Sequence, residues 1–583
     1  MKRLISLIAA VFTATSLMAQ SAQKVISFGK EEWHAILSGN ATSSPVETRW
    51  GFAILTDGRM LNSCTADGKI IWRRGTKGKP SFITQSGDFF YIVTRSKKIT
   101  LVNPSGKELW SSAAPFEITE KPVVAKDGRI FAHGKNAIAC FGNNGVRKWH
   151  VSTPDLANLP TFVFEDGSIL LFTSDEEKNT GQTVAKRFNK YGEPLEDLMF
   201  SNVVDTAVQC SRGILVALKD GSMGLISEEN GKIKSPWVQK SYLSTSAFAI
   251  CADENTGNSV FLFRTGANTT AILLRTHSGD FLNQFMLPPL DRTTLASAKT
   301  TYSGFFVADG TTALEFSEDG TIWWEAQLPP KEKWDFLTYT KTNSLVLCRN
   351  DWVIQGYNTI SPPKAVAYQP FDEELEEPPK PKPRFPPKIE WSAGLEFRAY
   401  NKEQIEEIEK MLKKGDYGKK ERDIVEGLKK EVERYLDAQV GTKSQNYFAQ
   451  NPDYARRFIS LLSLTGVNDF SQSFAALIKG EKEPTTLAAL IHSAGNHRFD
   501  PDGDILTALE FVCHSTIGRD NPPVLMNLCD ATFEICCYMG HPSLFKYGKE
   551  ILKHLTDAGF NSQIREYATQ TLKKLSDEDE NAI

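Results

Sequence analysis

One feature constrains this chain more than any other: it repeats itself at a period near 40 residues. A turn recurs in which glycine precedes tryptophan by four positions. It reads GKEEW at Gly29–Trp33, GKIIW at Gly68–Trp72, GKELW at Gly106–Trp110, GVRKW at Gly145–Trp149 and GTIWW at Gly320–Trp324. Weaker copies stand at Gly192 (GEPL), Gly231 (GKIKSPW) and Gly279 (GDFL), so successive glycines lie 39, 38, 39, 47, 39, 48 and 41 residues apart. Before each turn come short runs of Val, Ile, Leu and Phe divided by Asp-Gly, Ser-Gly or Asn-Gly, as in FAILTDGRMLNSCTADGKIIW. Such pairs supply the positive φ of tight hairpins, and runs of this length suit strands better than helices. About four strands per 40-residue unit is the signature of propeller blades.

The ends set the blade count. After Trp324 come two strand-like runs, TNSLVLCRN and DWVIQGYN, with no Gly-Trp turn behind them, while an orphan turn and strand stand at Gly29–Leu37. The N-terminal strand is predicted to complete the last blade, giving eight blades and no open edge at the closure. Trp33, Trp72, Trp110, Trp149 and Trp324 are assigned to packing between blades, because a large flat side chain at a fixed blade position fills the wedge between adjacent sheets. The intervals Gly145–Gly192 and Gly231–Gly279 are longer than the rest by about eight residues. Their excess is placed in loops at Ser174–Gln182 and Asp253–Asn268. Ser174, Asp175, Glu176, Glu177, Asp253, Glu254 and Asn255 are therefore the candidate partner-contact residues, since long loops on rigid scaffolds carry function.

The pattern of Asp-Gly, apolar strand, then Gly and Trp resembles the pyrroloquinoline-quinone-like propeller repeat over residues 25–360. The resemblance implies two branches. The enzymatic branch, quinoprotein dehydrogenases, implies a quinone, a calcium ion and a disulfide between adjacent cysteines. The only adjacent pair here, Cys536–Cys537, falls in ATFEICCYMG, a helix-like run far outside the repeats, and no C-x-x-C-H haem site occurs. The other branch, the outer-membrane assembly lipoproteins, implies a scaffold that engages partner proteins. This chain departs from it in having no cysteine before Cys64 for lipid attachment, and in a long C-terminal extension.

Other segments read differently. Lys2 and Arg3 followed by the apolar run Leu4–Phe12 predict a signal peptide, residues 1–19, cleaved after Ala19; the run is too short to span a bilayer. No later stretch approaches a span, so a periplasmic or secreted protein is expected. Net charge is −4, which favours no nucleic acid. The nine cysteines lie in apolar runs with no regular framework, so most read as small buried hydrophobes, with pairing left open. Residues 361–391 form a proline-rich linker (PPKPKPRFPPK), a semi-rigid spacer. A docking peptide is the other reading of that segment.

Residues 392–583 change to helical periodicity. Asn401 with Gln404 resembles a capping box and Gly415 a stop. Ile405, Ile408 and Leu412 form one stripe; Ile424, Leu428, Val432 and Leu436 form another. Further helices are predicted at 453–465, 470–479, 485–494, 504–515, 522–539, 543–556 and 562–575, with HEAT-like pairing. FDPDGDILTALE (Phe499–Glu510) imitates a calcium loop, but counting from Asp500 puts Gly503 fourth and Phe511 twelfth, which fails the EF-hand. A polar turn with Asp504 capping the next helix is expected instead. His492, His497 and His514 fit no standard metal spacing.

The fold class is thus an eight-bladed all-β propeller followed by an all-α helical-repeat domain, with the helical part expected to fold on its own. No catalytic, cofactor-binding or metal-ligating residue is assigned, and no cofactor. The expected function is a non-catalytic, exported protein-binding scaffold, with envelope or outer-membrane assembly as its expected setting. The alternatives are a quinoprotein-like oxidoreductase and a ligand or glycan sensor using the propeller channel.

Overall fold

The structure, a computed structural model, describes residues 27–28, 31–154, 156–157, 159–174, 182–229, 231–254, 256–266, 268–290, 294–297, 304–329, 331–339, 344–358, 402–415, 420–439 and 452–582. Residues 1–19, expected to be a signal peptide, residues 361–391, expected to be a proline-rich linker, Asn401, Asp175 to Gly181 and Asn255 lie outside these residues. Among the described residues, eight sheets built of antiparallel four-stranded blades form an eight-bladed propeller, and ten helices follow. Blade 1 runs Val46–Thr48, Gly51–Thr56, Met60–Thr65 and Ile70–Gly75 from inner to outer strand. The outer strands of blades 2 to 7 are Glu108–Ala113, Arg147–Ser152, Pro194–Phe200, Lys232–Lys240, Phe281–Leu287 and Ile322–Gln327.

Each apolar run becomes a central strand. Gly51–Thr56 and Phe89–Thr94 are buried at every position, because neighbouring sheets cover both faces and leave no reason to alternate. Outer strands alternate, as in Ile70–Gly75 and Arg147–Ser152. The N-terminus closes blade 8 as expected: Glu31–Ile36 pairs antiparallel with Val353–Asn358. Ser27–Phe28 goes further and adds a parallel fifth strand to blade 7 against Trp324 and Glu325.

The Gly-Trp repeat acts between blades. Gly68, Gly106, Gly145, Gly192 and Gly279 all adopt positive φ, and a Cβ on each would meet the indole of the preceding blade: Trp33, Trp72, Trp110, Trp149 and Trp237. Four of these indoles also donate to that turn: Trp72 Nε1 to Pro104 O (2.9 Å), Trp110 to Asn143 O (2.5 Å), Trp149 to Lys190 O (3.0 Å) and Trp237 to Thr276 O (3.0 Å). At Gly320 the wedge is Phe285. Trp324 is fully buried, stacks on Tyr357 at 6.1 Å and donates to Glu315 Oε2 at 2.6 Å.

The long interval Gly231–Gly279 corrects the sequence reading. Asp253–Asn268 is mostly strand. Asp253 ends Ala249–Asp253 and is buried, and Asn258–Thr265 is an eight-residue strand. Val260, Phe261, Leu262 and Phe263 are fully buried, so this apolar run belongs between blades rather than in a loop. The Ser174–Gln182 insertion does fall between two strands, Ile169–Ser174 and Thr183–Phe188.

The helices are α1 (Lys402–Lys414), α2 (Glu421–Gln439), α3 (Pro452–Ser463), α4 (Ser471–Gly480), α5 (Pro484–His497), α6 (Asp504–His514), α7 (Thr516–Arg519), α8 (Pro522–Met539), α9 (Pro542–His554) and α10 (Ser562–Ala582). They stack in two layers, α2-α3-α5-α8-α10 and α4-α6-α9, as the paired periodicity implies. Asp500, not Asp504, caps α6: its two carboxylate oxygens accept from Ile505 N (3.1 Å) and Leu506 N (2.9 Å). It is fully buried, and Gly503 at φ 74° turns the chain so that it can reach back. His497 is buried against Phe470 and Phe474. No helix among the described residues is long and apolar enough to cross a membrane.

The helical region does not form a compact unit by itself. One compact unit comprises residues 71–173 and 185–196 together with the helical region. Its apolar core is continuous from Phe89, Tyr91 and Leu101 in blade 2 to Leu490 and Leu528 in the helices.

Two outcomes are expected. A chain beginning at residue 38 loses the outer strand of blade 8 and the added strand of blade 7; urea melts should show a lower midpoint than the full chain. The second concerns Glu315, whose carboxyl is pushed up to about 8 by burial, against the lowering effect of the Trp324 hydrogen bond. With the folded pKa raised above the ordinary 4.5, this group's contribution to stability is complete below that value and falls as pH rises through about 8. Glu315→Gln should flatten that slope, by a few kcal/mol across the window, in denaturant melts taken from pH 5 to 9.

Candidate partner-binding site

The best-built recognition surface in the described residues is the turn end of blades 2 to 4, where the helical region is held. Its chemistry starts at the helix ends. The last carbonyls of an α-helix have no partner within it and carry partial negative charge. The chain aims donors at them. Asn103 Nδ2 donates to the carbonyls of Cys537 (3.0 Å) and Tyr538 (3.3 Å) in the last turn of α8. Just past α3, Asn144 Nδ2 donates to Leu464 O (3.3 Å), Lys148 Nζ to Thr465 O (2.5 Å) and Asn143 N to Gly466 O (2.9 Å). Asn143 Nδ2 reaches both Asn468 Oδ1 and Tyr538 Oη at 2.7 Å, and Asn468 N donates to Asp127 O at 3.0 Å. Close approach needs small residues: a Cβ at Gly540 would lie 2.4 Å from Asn103, and one at Gly466 2.4 Å from Asn144.

Behind these contacts sits a buried ionic cluster. Arg129 of blade 3, 1% exposed, pairs with Asp127 at 3.0 Å and with Glu421, the first residue of α2, at 2.8 Å. Tyr191 lies under its guanidinium at 5.0 Å. Burial disfavours the Arg129 charge, but Glu421 and Asp127 outweigh it and hold the group protonated. Lys148, with burial as the main cause and Arg129 adding to it, falls to about 8 despite Glu421. Outside the cluster Tyr191 donates to Glu426, and Arg422 pairs with Glu193 at 2.9 Å. Lys107 pairs with Glu578 of α10 at 2.6 Å. Phe89 packs on Tyr538 and Phe499 with ring centroids 5.5 and 6.1 Å apart. Beside the seam opens a cleft of about 180 Å³, into whose lining Asn144, Asn496 and Arg498 bring exposed polar groups.

The sequence-predicted residues fall elsewhere. Trp72, Trp110 and Trp149 back the seam turns from the preceding blade, while Trp33 and Trp324 lie at the blade 8 closure. Ser174 ends a strand, Asp253 is buried, and Glu254 accepts from Ser211 N at 2.8 Å; the other four loop candidates include Asp175, Glu176, Glu177 and Asn255, outside the described residues. The seam residues themselves were missed. Their signal is the turn composition: NPSG, GNNG and NKYG at 103–106, 142–145 and 189–192, against TADG, THSG and SEDG at 65–68, 276–279 and 317–320. Cys536 and Cys537 are buried in α8, and Cys536 is tucked against Gly548. Among the described residues no group of three or more His, Cys, Asp or Glu side chains is placed to hold a metal ion.

Removing one member of a buried pair leaves an uncompensated charge, which costs about 3–5 kcal/mol. Glu421→Leu is expected to destabilise by that order. Adding Arg129→Met should recover part of it, and a double-mutant cycle in denaturant melts reads the coupling. Additive effects would show that the pair does not act as a unit.

Residues 57–188 match the family model described as "Outer membrane protein assembly factor BamB". No curated protein matches the chain. Among solved structures, BamB from Moraxella catarrhalis is 13% identical, with a TM-score of 0.43, covering 57% of this chain and 100% of that one. Saccharomyces cerevisiae Sqt1 is 12% identical with a TM-score of 0.43 and the same coverages. Chaetomium thermophilum Sqt1, bound to the N-terminus of ribosomal protein L10, is 10% identical, with a TM-score of 0.43, covering 57% of this chain and 100% of that one. Over residues 57–188, within an eight-bladed propeller, the chain carries repeats of the BamB-like family.

Proposed function

We propose that this protein is an exported, non-catalytic scaffold that holds partner proteins in the cell envelope. One observation carries the reading: the turn end of blades 2 to 4 grips protein already, by offering amide and ammonium donors to carbonyls at or just past the ends of helices. The residues matching the assembly-factor model, 57–188, span most of the same blades. Two support surfaces result, a propeller and a stacked helical array, and the ionic cluster sets the angle between the array and the blades that carry it. In this reading residues 1–19 are removed on export, 25–360 form the propeller, 361–391 are a spacer and 392–583 the helical region. The acidic insertion that includes Ser174, Asp175, Glu176 and Glu177, and the turn at Asp253, Glu254 and Asn255, contribute to partner contact.

Export is tested by the mature N-terminus: mass spectrometry of protein from the native envelope should find it at Gln20, and an intact Met1 would count against it. Partner contact is tested by replacing residues 175–181 with a Gly-Ser pair. Crosslinking to envelope proteins is expected to fall by about tenfold, equivalent to ~1.4 kcal/mol, with the melting temperature unchanged. Unaltered crosslinking would remove this insertion from the contact surface.

A further inference from the structure

The hairpins that join the second and third strands of the blades share a geometry and differ in charge. In blade 1 the turn after Gly51–Thr56 reads TDGR, and Arg59 closes it with left-handed backbone (φ 61°), donating its N–H to Thr56 O at 3.0 Å. In blade 2 the turn after Phe89–Thr94 reads TRSK, and Lys97 closes it in the same way (φ 62°), donating to Thr94 O at 3.1 Å. Arg95 therefore stands where blade 1 has Asp57. The same hairpins in blades 5, 7 and 8 carry Asp220, Asp309 and Asp351. Blade 2 has no acid there; Arg95, Lys97 and Lys98 occupy its tip.

A second segment brings more charge to the same corner. Lys79 O accepts from Arg95 N at 2.9 Å, beside the register pair Pro80 and Thr94. Gly78 lies against the hairpin, since a Cβ on it would sit 3.3 Å from Ser96 Oγ. The two segments, TKGK at 76–79 and TRSKK at 94–98, contain five basic residues and no Asp or Glu. Lys77 is engaged by Glu108 at 3.0 Å, and Arg74 holds the same carboxylate at 3.2 Å. Lys79, Arg95, Lys97 and Lys98 are exposed and have no carboxylate partner among the described residues. Left-handed backbone disfavours an L side chain, and blade 5 closes its turn with Gly221 (φ 82°). Blade 2 keeps a lysine at that position against both the strain and the repulsion of its neighbours.

We propose that this corner of blade 2 docks on the phosphate head groups of an anionic lipid surface. Clusters of four or more Lys and Arg read as sites for anionic lipid, and ammonium and guanidinium groups both pair with phosphate. A protein partner suits the corner less. Neither segment has an aromatic or large aliphatic side chain, and lysine is depleted where proteins meet. Long exposed side chains on a hairpin tip reach several phosphates of a surface without enclosing any one of them, which disfavours a single free phosphate as the ligand. The whole chain carries a net charge of −4, so the attraction is local. It acts within a Debye length, about 10 Å at 0.1 M salt.

The test is flotation of the full chain with vesicles of phosphatidylcholine containing about 30% phosphatidylglycerol, at about 50 mM salt. Binding is expected to these vesicles and not to phosphatidylcholine alone, and should be lost at about 500 mM salt. Lys97→Gly suits the left-handed turn, so the melting temperature should hold or rise while affinity falls about fivefold, the weight of one cation at an anionic surface. Arg95→Asp with Lys97→Gly removes two cations and adds an anion, and should weaken binding about a hundredfold. Lys573→Glu with Lys574→Glu in α10 changes the net charge more, yet should leave affinity within about twofold. Equal loss in that α10 variant overturns the proposal, as does equal binding to both kinds of vesicle or wild-type affinity in the blade 2 variants. So does binding of duplex DNA as tight as that of the vesicles at the same salt, which would assign the corner to nucleic acid. Release by millimolar inorganic phosphate overturns it too, in favour of a single-phosphate site.

Discussion

The rest of the structure depends on a glycine turn pressed against an indole. At five positions the positive-φ glycine of one blade leaves room that a tryptophan of the preceding blade fills, and four of those indoles also hydrogen-bond the turn. The contact does two things at once. It supplies the large apolar area that holds sheet to sheet, and it fixes the turn's backbone, so that whatever the turn presents outward is presented rigidly. In blades 2 and 3 those outward groups are Asn103, Asn143 and Asn144. Asn103 meets the last carbonyls of α8, Asn144 meets Leu464 O just past α3, and Asn143 meets the side chains of Asn468 and Tyr538.

The propeller was legible because its signal is local and repeated. Asp-Gly hairpins, apolar runs and the Gly-Trp interval each depend on a few neighbouring residues, and each occurs several times. The helices were legible for the same reason: stripes such as Ile424, Leu428 and Val432 lie on one face and are buried in the structure. Reading failed where the deciding partner is remote. Arg129 and Glu421 are 292 residues apart in the chain, and nothing local distinguishes Glu421 from the other acids of α2. Asp500 stands too far before α6 to read as its cap, and reaches Ile505 N and Leu506 N only because Gly503 turns the chain back. The glycine-to-glycine interval does not distinguish a longer strand from a longer loop, and at 260–263 the extra length belongs to a buried strand.

The same remoteness explains why the helical region looked separable. A proline-rich segment precedes it, and its helices stack into a core of their own. Yet Tyr538 and Phe499 turn toward Phe89, and the last turn of α8 spends its carbonyls on Asn103. Detached, those aromatic rings and carbonyls would return to water. Each neutral hydrogen bond is worth only about 0.5–1.5 kcal/mol net, so the aromatic and aliphatic packing carries most of the attachment and the polar contacts determine where it occurs.

That division of labour accounts for the buried charges. Blades of one propeller are near copies, and a purely apolar helix end could settle on any of their turns with similar energy. Replacing a buried ion pair by packed apolar side chains is often neutral or stabilising, so Arg129 and Glu421 are poor devices for raw stability. They are good devices for choice. Glu421 left on a turn without an arginine beneath it would be a buried charge without a partner, which costs several kcal/mol. Turns reading TADG, THSG or SEDG lack the asparagine amides that reach the helix carbonyls. Only the blades that place Asn103, Asn143, Asn144, Arg129 and Lys148 together satisfy the helix ends and the carboxylate at once, so the wrong registers are penalised rather than merely less favoured.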